Sequence, residues 1–187
     1  MRYILNKKDC KFLGKGKEGE VYLTPEGYAL KIFYKKKKAK EEVKLLEIAS
    51  KSRFFPNVIF IAQNMILREY IEGINLKEYI DLNGLSYNLS CEIIDLVENF
   101  KSMKFTRINI RNAHIFVDNH EKIHVIDPRK VFSKNTPYQK DIVKILVKSN
   151  VFDDFVKYLL DYKPELINYW IAAYDYYIYN SKKTLRS

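Results

Sequence analysis

The sequence predicts an α+β fold in which an antiparallel sheet with one helix is followed by a mainly helical part. Two observations support this prediction. Up to residue 71, short runs rich in apolar residues are separated by turn-forming residues, which is typical of strands. From residue 72 onward, apolar residues recur mostly at helical spacing. The length of 187 residues fits one domain, 1–187, with two small lobes, and we place their boundary between residues 71 and 72.

The first part is predicted to contain five strands and one helix. Residues 20–23 and 28–33 are strand-like runs joined by a turn containing proline and glycine. A helix is predicted from near Lys38, because apolar residues then follow at helical spacing with charged residues between them. Residues 57–71 contain two apolar runs divided near Gln63, which indicates a hairpin.

The second part is predicted to consist of helices with one inserted hairpin. A buried helix is expected to begin at Ser90, a plausible N-cap, and to place Ile93 and Val97 on its apolar face. The hairpin is expected between Ile115 and Ile126. Three further helical patterns follow Pro128.

Composition narrows the possible function classes. The chain is 47% hydrophobic and has no apolar run near the roughly 20 residues of a membrane-spanning helix. We therefore expect a cytoplasmic protein with no membrane partner. Its two cysteines are too few for a disulfide framework. The net charge of +10 suits an acidic partner, but the lysines are spread along the chain, so nucleic acid is only weakly supported.

Three glycines, Gly14, Gly16 and Gly19, have the spacing G-x-G-x-x-G, and Lys31 follows within an apolar run. In a dinucleotide-binding fold such glycines close a strand and open a helix. Here the residues on both sides read as strands, which favours the glycine-rich loop of a kinase. An ordinary hairpin followed by an unrelated lysine is the alternative.

At this point the chain resembles the protein kinase-like superfamily, over roughly residues 10 to 146. The resemblance implies a two-lobed α+β fold with a helical second lobe that is reduced relative to the family. It also implies a nucleotide site, in which the residues expected to contact ATP are Gly14, Gly16, Gly19, Val21, Lys31, Glu42, Glu69 and Ile71. Lys31 would hold phosphates and Glu42 would orient it, with Glu41 or Glu47 as alternatives if the register slips.

The segment around Arg68 resembles the hinge between kinase lobes. The resemblance implies that Glu69 to Ile71 offer backbone groups to adenine. Arg68 would occupy the gatekeeper position at the back of the pocket, where it would pair with Glu69 or narrow the pocket.

Asp127, in the sequence D-P-R, resembles the metal-binding aspartate of the family motif D-F-G. A carboxylate at this place suits Mg²⁺, which prefers oxygen ligands. Thirteen positions earlier, His114 stands where the family has a metal-binding asparagine. An imidazole suits Mn²⁺ better than Mg²⁺, and a buried core histidine is the other interpretation of His114.

Asn109 stands where the family has its catalytic aspartate, and Arg111 where many kinases have a phosphate-contacting lysine. An amide orients a hydroxyl by hydrogen bonding but does not take its proton as a carboxylate does. The expected function is therefore an atypical or weak Ser/Thr phosphotransferase that uses ATP and Mg²⁺ (or Mn²⁺) on a protein substrate not identified by the sequence. The alternative is a pseudokinase, a nucleotide-binding interaction module. Asp141 is expected to brace the backbone of the catalytic loop.

Overall fold

The computed structural model describes residues 7–106, 110–127, 132 and 136–184. The chain divides into two compact units, Met1–Ile71 and Glu72–Ser187. Both units contain strands and helices, so the predicted α+β class is confirmed.

The first unit is built on a five-stranded antiparallel sheet, as predicted. Its spatial order is β1-β2-β3-β5-β4, where the strands are β1 (Lys11–Lys15), β2 (Gly19–Leu23), β3 (Tyr28–Phe33), β4 (Val58–Ala62) and β5 (Met65–Glu69). In the described residues of this unit, one α-helix, α1 (Lys36–Ile48), lies between β3 and β4. A short 3₁₀ helix at Lys7–Asp9 precedes β1.

The two faces of this sheet bury different side chains, because successive residues of a strand point to opposite faces. One face packs against α1 through a cluster of Phe33, Ala39, Leu46 and Ile66. The other face has its own cluster of Tyr22, Leu30 and Leu67. Residues directly paired across β3 and β5 share a face, so the register assigns Lys31 and Ile66 to the face covered by α1.

Strand β4 is an edge strand of this sheet. Three consecutive apolar residues on it are partly exposed: Ile59 by 39%, Phe60 by 40% and Ile61 by 45%. The pairing with β5 is irregular between Val58 and Phe60, which leaves Ile59 in a bulge. Two cavities of about 180 and 390 Å³ open between β4 and α1, and Ile61 lines both.

Among its described residues, the second unit combines five α-helices with a small sheet. The helices are α2 (Leu76–Asn83), α3 (Tyr87–Ser102), α4 (Lys140–Lys148), α5 (Phe152–Tyr162) and α6 (Ile167–Thr184). The sheet is antiparallel, in the order β6 (Ile74–Asn75), β7 (Ile115–Val117) and β8 (Ile123–Val125). The core includes Trp170 of α6, whose ring meets Phe155 of α5 edge-on at 4.6 Å between centroids. The predicted hairpin and the three late helices are confirmed.

Of the two predicted helix starts, one is confirmed to within two residues and one is wrong. Helix α1 begins at Lys36, against a predicted start near Lys38. Helix α3 begins at Tyr87, and its N-cap is Ser86, whose hydroxyl oxygen accepts from the N–H of Leu89. Ser90 lies inside the helix, and its hydroxyl donates to the carbonyl of Ser86 at 2.8 Å. A serine one turn after the true cap gives the same local sequence signal.

Within the described residues, no helix has both the length and the apolar composition that crossing a membrane requires.

Candidate functional site

The hairpin of β1 and β2 carries the three glycines in the strand–turn–strand context expected from the sequence. Gly14 lies in β1 opposite Val21, Gly16 lies in the turn, and Gly19 begins β2. The turn is closed by the N–H of Gly16, which donates to the carbonyl of Gly19 at 2.9 Å. Val21 is paired with Lys31 across β2 and β3 and therefore shares its face of the sheet.

The three glycines differ in what surrounds their missing side chains. A Cβ built at Gly14 or Gly16 meets no atom within 4 Å. A Cβ at Gly19 would lie 2.1 Å from the carbonyl oxygen of Ile32 on β3. Gly19 is therefore required by the packing of its own sheet, whereas Gly14 and Gly16 leave space beside the hairpin.

Glu20 lies at the turn end of β2 and connects it to the segment before β1. Its Oε2 accepts from Lys7 Nζ at 2.8 Å and from the hydroxyl of Tyr22 at 2.6 Å. The hydrogen bond from Lys7, followed by that from Tyr22, lowers the pKa of Glu20. A charged Glu20 thus links the segment before β1 to β2.

The central feature of the first unit is a buried ion pair. Lys31 Nζ on β3 donates to Glu42 Oε2 on α1 at 2.5 Å, and both side chains are about 95% buried. Glu42 is the expected partner. The two alternatives, Glu41 and Glu47, are exposed on α1, and Glu41 accepts from Lys38 instead. The ammonium of Lys31 also lies 4.8 Å from the ring centroid of Phe33.

Arg68 on β5 lies next to this pair. It is 5% exposed, and its Nη1 is 3.9 Å from Glu42 Oε1. The sequence left two roles open for Arg68, a pair with Glu69 or a narrowing of the pocket, and neither included this contact with Glu42. A carboxylate on α1 therefore faces one cation from β3 and another from β5.

The segment at the end of β5 is anchored to the chain before β4. The N–H of Glu69 donates to the carbonyl of Asn57 at 3.0 Å, and its carboxylate accepts from the backbone and side chain of Asn57. The N–H of Glu69, one of the backbone groups that the sequence was expected to offer to adenine, is therefore already used by Asn57. Ile71 is partly buried at the end of the first unit.

The loop before β7 is described from residue 110 onward, so Asn109 lies outside the described residues. Arg111 is exposed and directly precedes a 3₁₀ helix at Asn112–His114. The buried N–H of Ile110 donates to Gln139 Oε1 at 3.1 Å. This bond ties the loop to the start of α4.

His114 and the segment of Asp127 are joined through the backbone. The N–H of Ile126 donates to the carbonyl of His114 at 3.0 Å, and Asp127 is the next residue. Asp127 is 8% exposed, and His114 is partly buried. These residues fit a metal ion only as part of its coordination, since the described residues contain no group of three potential ligands. Mg²⁺ commonly binds with one or two carboxylates plus substrate phosphates and water.

Sequence reasoning missed two polar residues that shape this loop. Asn112 accepts from the N–H of Lys77 at 3.1 Å and donates to the side chain of Asn75 at 2.9 Å. It thereby connects the loop to the start of α2. Gln139 is fully buried and holds Ile110, next to the place where Asp141 was expected to brace the loop. A polar residue just before an amphipathic helix was the available signal for Gln139.

No protein-family model matches the chain, and comparison with curated proteins finds no match either.

Proposed function

We propose that this protein binds ATP through a two-lobed, kinase-like arrangement and acts as an atypical or weak Ser/Thr phosphotransferase. The observation that carries the proposal is the buried pair of Lys31 and Glu42, which joins the third strand of a five-stranded antiparallel sheet to α1. A lysine that binds phosphates needs an anionic partner to orient it, and kinases use this combination.

The glycine-bearing hairpin supports the same function. Gly14 and Gly16 leave free space where a side chain would stand, which allows a backbone to approach a ligand closely. The turn that contains Gly16 comes before β3 and Lys31 along the chain. A kinase glycine-rich loop precedes its lysine in the same order. In this proposal the purine is met by backbone groups between Glu69 and Ile71.

The metal would be carried with the nucleotide. Asp127 supplies a carboxylate, and His114 stands at the second ligand position of the family pattern. Mg²⁺, or Mn²⁺ if the imidazole of His114 takes part, would reduce the charge repulsion between the phosphates and Asp127 when bound. Phosphoryl transfer depends mostly on positioning and electrostatics, so transfer to a protein hydroxyl is compatible with an amide at Asn109.

The decisive experiment measures ATP affinity by calorimetry in the presence of Mg²⁺. Lys31→Met removes a charge-assisted contact worth on the order of 1.5–3 kcal/mol, so the dissociation constant should rise about tenfold or more. Lys44→Met, at an exposed position on the same helix as Glu42, is the control and should bind as the wild type does. Asp127→Asn should bind with little dependence on Mg²⁺. Equal affinity for wild type and Lys31→Met would contradict the proposal.

A pseudokinase is the second candidate, and the amide of Asn109 favours it. General-base assistance contributes roughly 10²–10⁴-fold to rate, and Asn109 lacks the carboxylate for it. Asn109→Asp should raise radiolabelled phosphate transfer to the protein itself or to casein about tenfold or more. Transfer by the wild type above the level of Lys31→Met supports the phosphotransferase. Transfer by Asn109→Asp alone supports the pseudokinase, and no gain would show that Asn109 has another role.

A further inference from the structure

Strands β3 and β5 bring two cations onto one face of the sheet. Lys31 is paired with Ile66, and Arg68 is paired with Ala29. Paired residues point to the same face and positions two apart on a strand do so too, so Lys31 and Arg68 are diagonal neighbours. Helix α1 covers this face and places Glu42 against both side chains.

The two oxygens of the Glu42 carboxylate face different cations. Oε2 accepts from Lys31 Nζ at 2.5 Å, while Oε1 is 3.9 Å from Arg68 Nη1. None of the three residues is more than 7% exposed. Electrostatic interactions in such a water-poor environment are stronger than at the surface, so the more distant cation also influences the carboxylate.

The two cations differ in how firmly they hold that carboxylate. The ammonium of Lys31 ends a flexible stem and has three donors, which a bound phosphate would draw away from Glu42. The guanidinium of Arg68 is planar and stays charged at every relevant pH. At 3.9 Å it attracts Glu42 without the directional requirement of a short hydrogen bond.

We propose that Arg68 is a positioning residue that anchors Glu42. The carboxylate of Glu42 then stays in place when Lys31 donates some of its hydrogen bonds to phosphate. This inference rests on the proposed nucleotide-binding function. It assigns to the gatekeeper position the task of keeping Lys31 and Glu42 together, rather than contact with the base. Arg68 acts through Glu42 and touches no phosphate itself.

The test compares the affinities of ATP and adenosine in calorimetry for a set of variants. Arg68→Gln keeps a polar side chain but removes the charge, and it should weaken ATP binding about fivefold while leaving adenosine binding unchanged. Arg68→Lys restores the charge and should bind ATP within about twofold of the wild type. In a Glu42→Gln background, Arg68→Gln should cause no further loss, because its effect passes through Glu42.

Leu67→Ala is the matched control for simple destabilisation. Leu67 is the neighbour of Arg68 on β5, is 1% exposed and packs on the opposite face of the sheet. It should lower the unfolding temperature without a selective loss of ATP binding. Thermal unfolding of each variant identifies any that fails to fold, and Arg68→Lys and Glu42→Gln then provide the comparison.

Three results would overturn the inference. An Arg68→Gln variant that binds ATP like the wild type would remove the role of Arg68. An equal loss for ATP and adenosine would indicate contact with the base or general destabilisation, and an additional loss in the Glu42→Gln background would indicate direct contact with phosphate. Failure of the proposed function itself is distinguishable, because Lys31→Met would then leave ATP binding unchanged.

Discussion

Gly16 and Gly19 stand three residues apart in one motif, yet an added methyl group would meet different surroundings at the two positions. At Gly16 the space within 4 Å is empty, whereas at Gly19 the carbonyl oxygen of Ile32 would lie at 2.1 Å. The atom that would have to move is backbone in the centre of the sheet. The same residue type therefore leaves open space at one position and permits close strand packing at the other.

We expect Gly19→Ala to destabilise the protein by about 1–3 kcal/mol, the usual range for forcing extra volume into a packed site. Gly16→Ala should stay within about 0.5 kcal/mol of the wild type, as is normal for an unobstructed surface position. Urea unfolding followed by circular dichroism measures both. Similar stabilities for the two variants would show that β2 and β3 accommodate the methyl group.

Elements of regular structure are predictable here where they are long and periodic. The five strands of the first unit and helices α4, α5 and α6 follow from alternation and helical spacing. Strand β6 has two residues, too few for a clear period, and neither β6 nor the eight-residue helix α2 was expected. Ser86 and Ser90 both suit an N-cap, and the choice depends on tertiary packing that local sequence does not encode.

The candidate site likewise has residues that the sequence could predict and contacts that it could not. Lys31 and Glu42 could be named because a lysine within a strand and a glutamate on the next helix form a recognisable combination. The contacts of Arg68 with Glu42 and of Gln139 with Ile110 join residues 26 and 29 positions apart. Such contacts depend on strand order and helix placement, which no short motif specifies.

At the turn between β7 and β8, Asp118 organises one hairpin with its carboxylate. Its Oδ1 accepts from the N–H groups of His120 and Lys122, and its Oδ2 accepts from His124 Nε2 at 2.9 Å. Partial burial acts to raise the pKa of Asp118, but the hydrogen bond from His124 and those from the backbone outweigh it and lower the pKa.

This lowered pKa predicts a specific loss of stability in acid. The folded state binds the proton of Asp118 less readily than the unfolded state, whose pKa is near 3.8. The contribution of Asp118 is therefore complete well above pH 4 and is lost as the pH falls from there through the lower folded value. The unfolding temperature should drop less between pH 5 and pH 3 in Asp118→Asn, whose amide oxygen still accepts from the turn, than in the wild type.

Asp153→Asn is the control for this pH series, since Asp153 is exposed on α5. It should retain the acid sensitivity of the wild type. If Asp118→Asn and Asp153→Asn have the same pH profile, the hydrogen bonds of Asp118 do not govern acid stability.

At the scale of the whole molecule, the net charge of +10 acts on every partner and on every second copy of the chain. Polyanions should bind without specificity, and this binding should weaken steeply with salt. Two copies repel each other, most strongly at low ionic strength, where the Debye length is longest.

Because β4 is an exposed edge strand, this repulsion affects self-association of the protein in concentrated solution. Its backbone edge and the partly exposed Ile59, Phe60 and Ile61 are a surface on which sheets of two molecules can join. Adding salt screens the charges and strengthens apolar contact, so we expect light scattering of a concentrated sample to rise between about 0.05 and 1 M NaCl. Ile61→Lys should suppress the rise, whereas Ile48→Lys, at an exposed position on α1, should not. Equal scattering by the two variants would place the association elsewhere. If β4 is the surface of association, the colloidal stability of the protein depends on its lysines, whose repulsion keeps the bulged edge strands of two molecules apart.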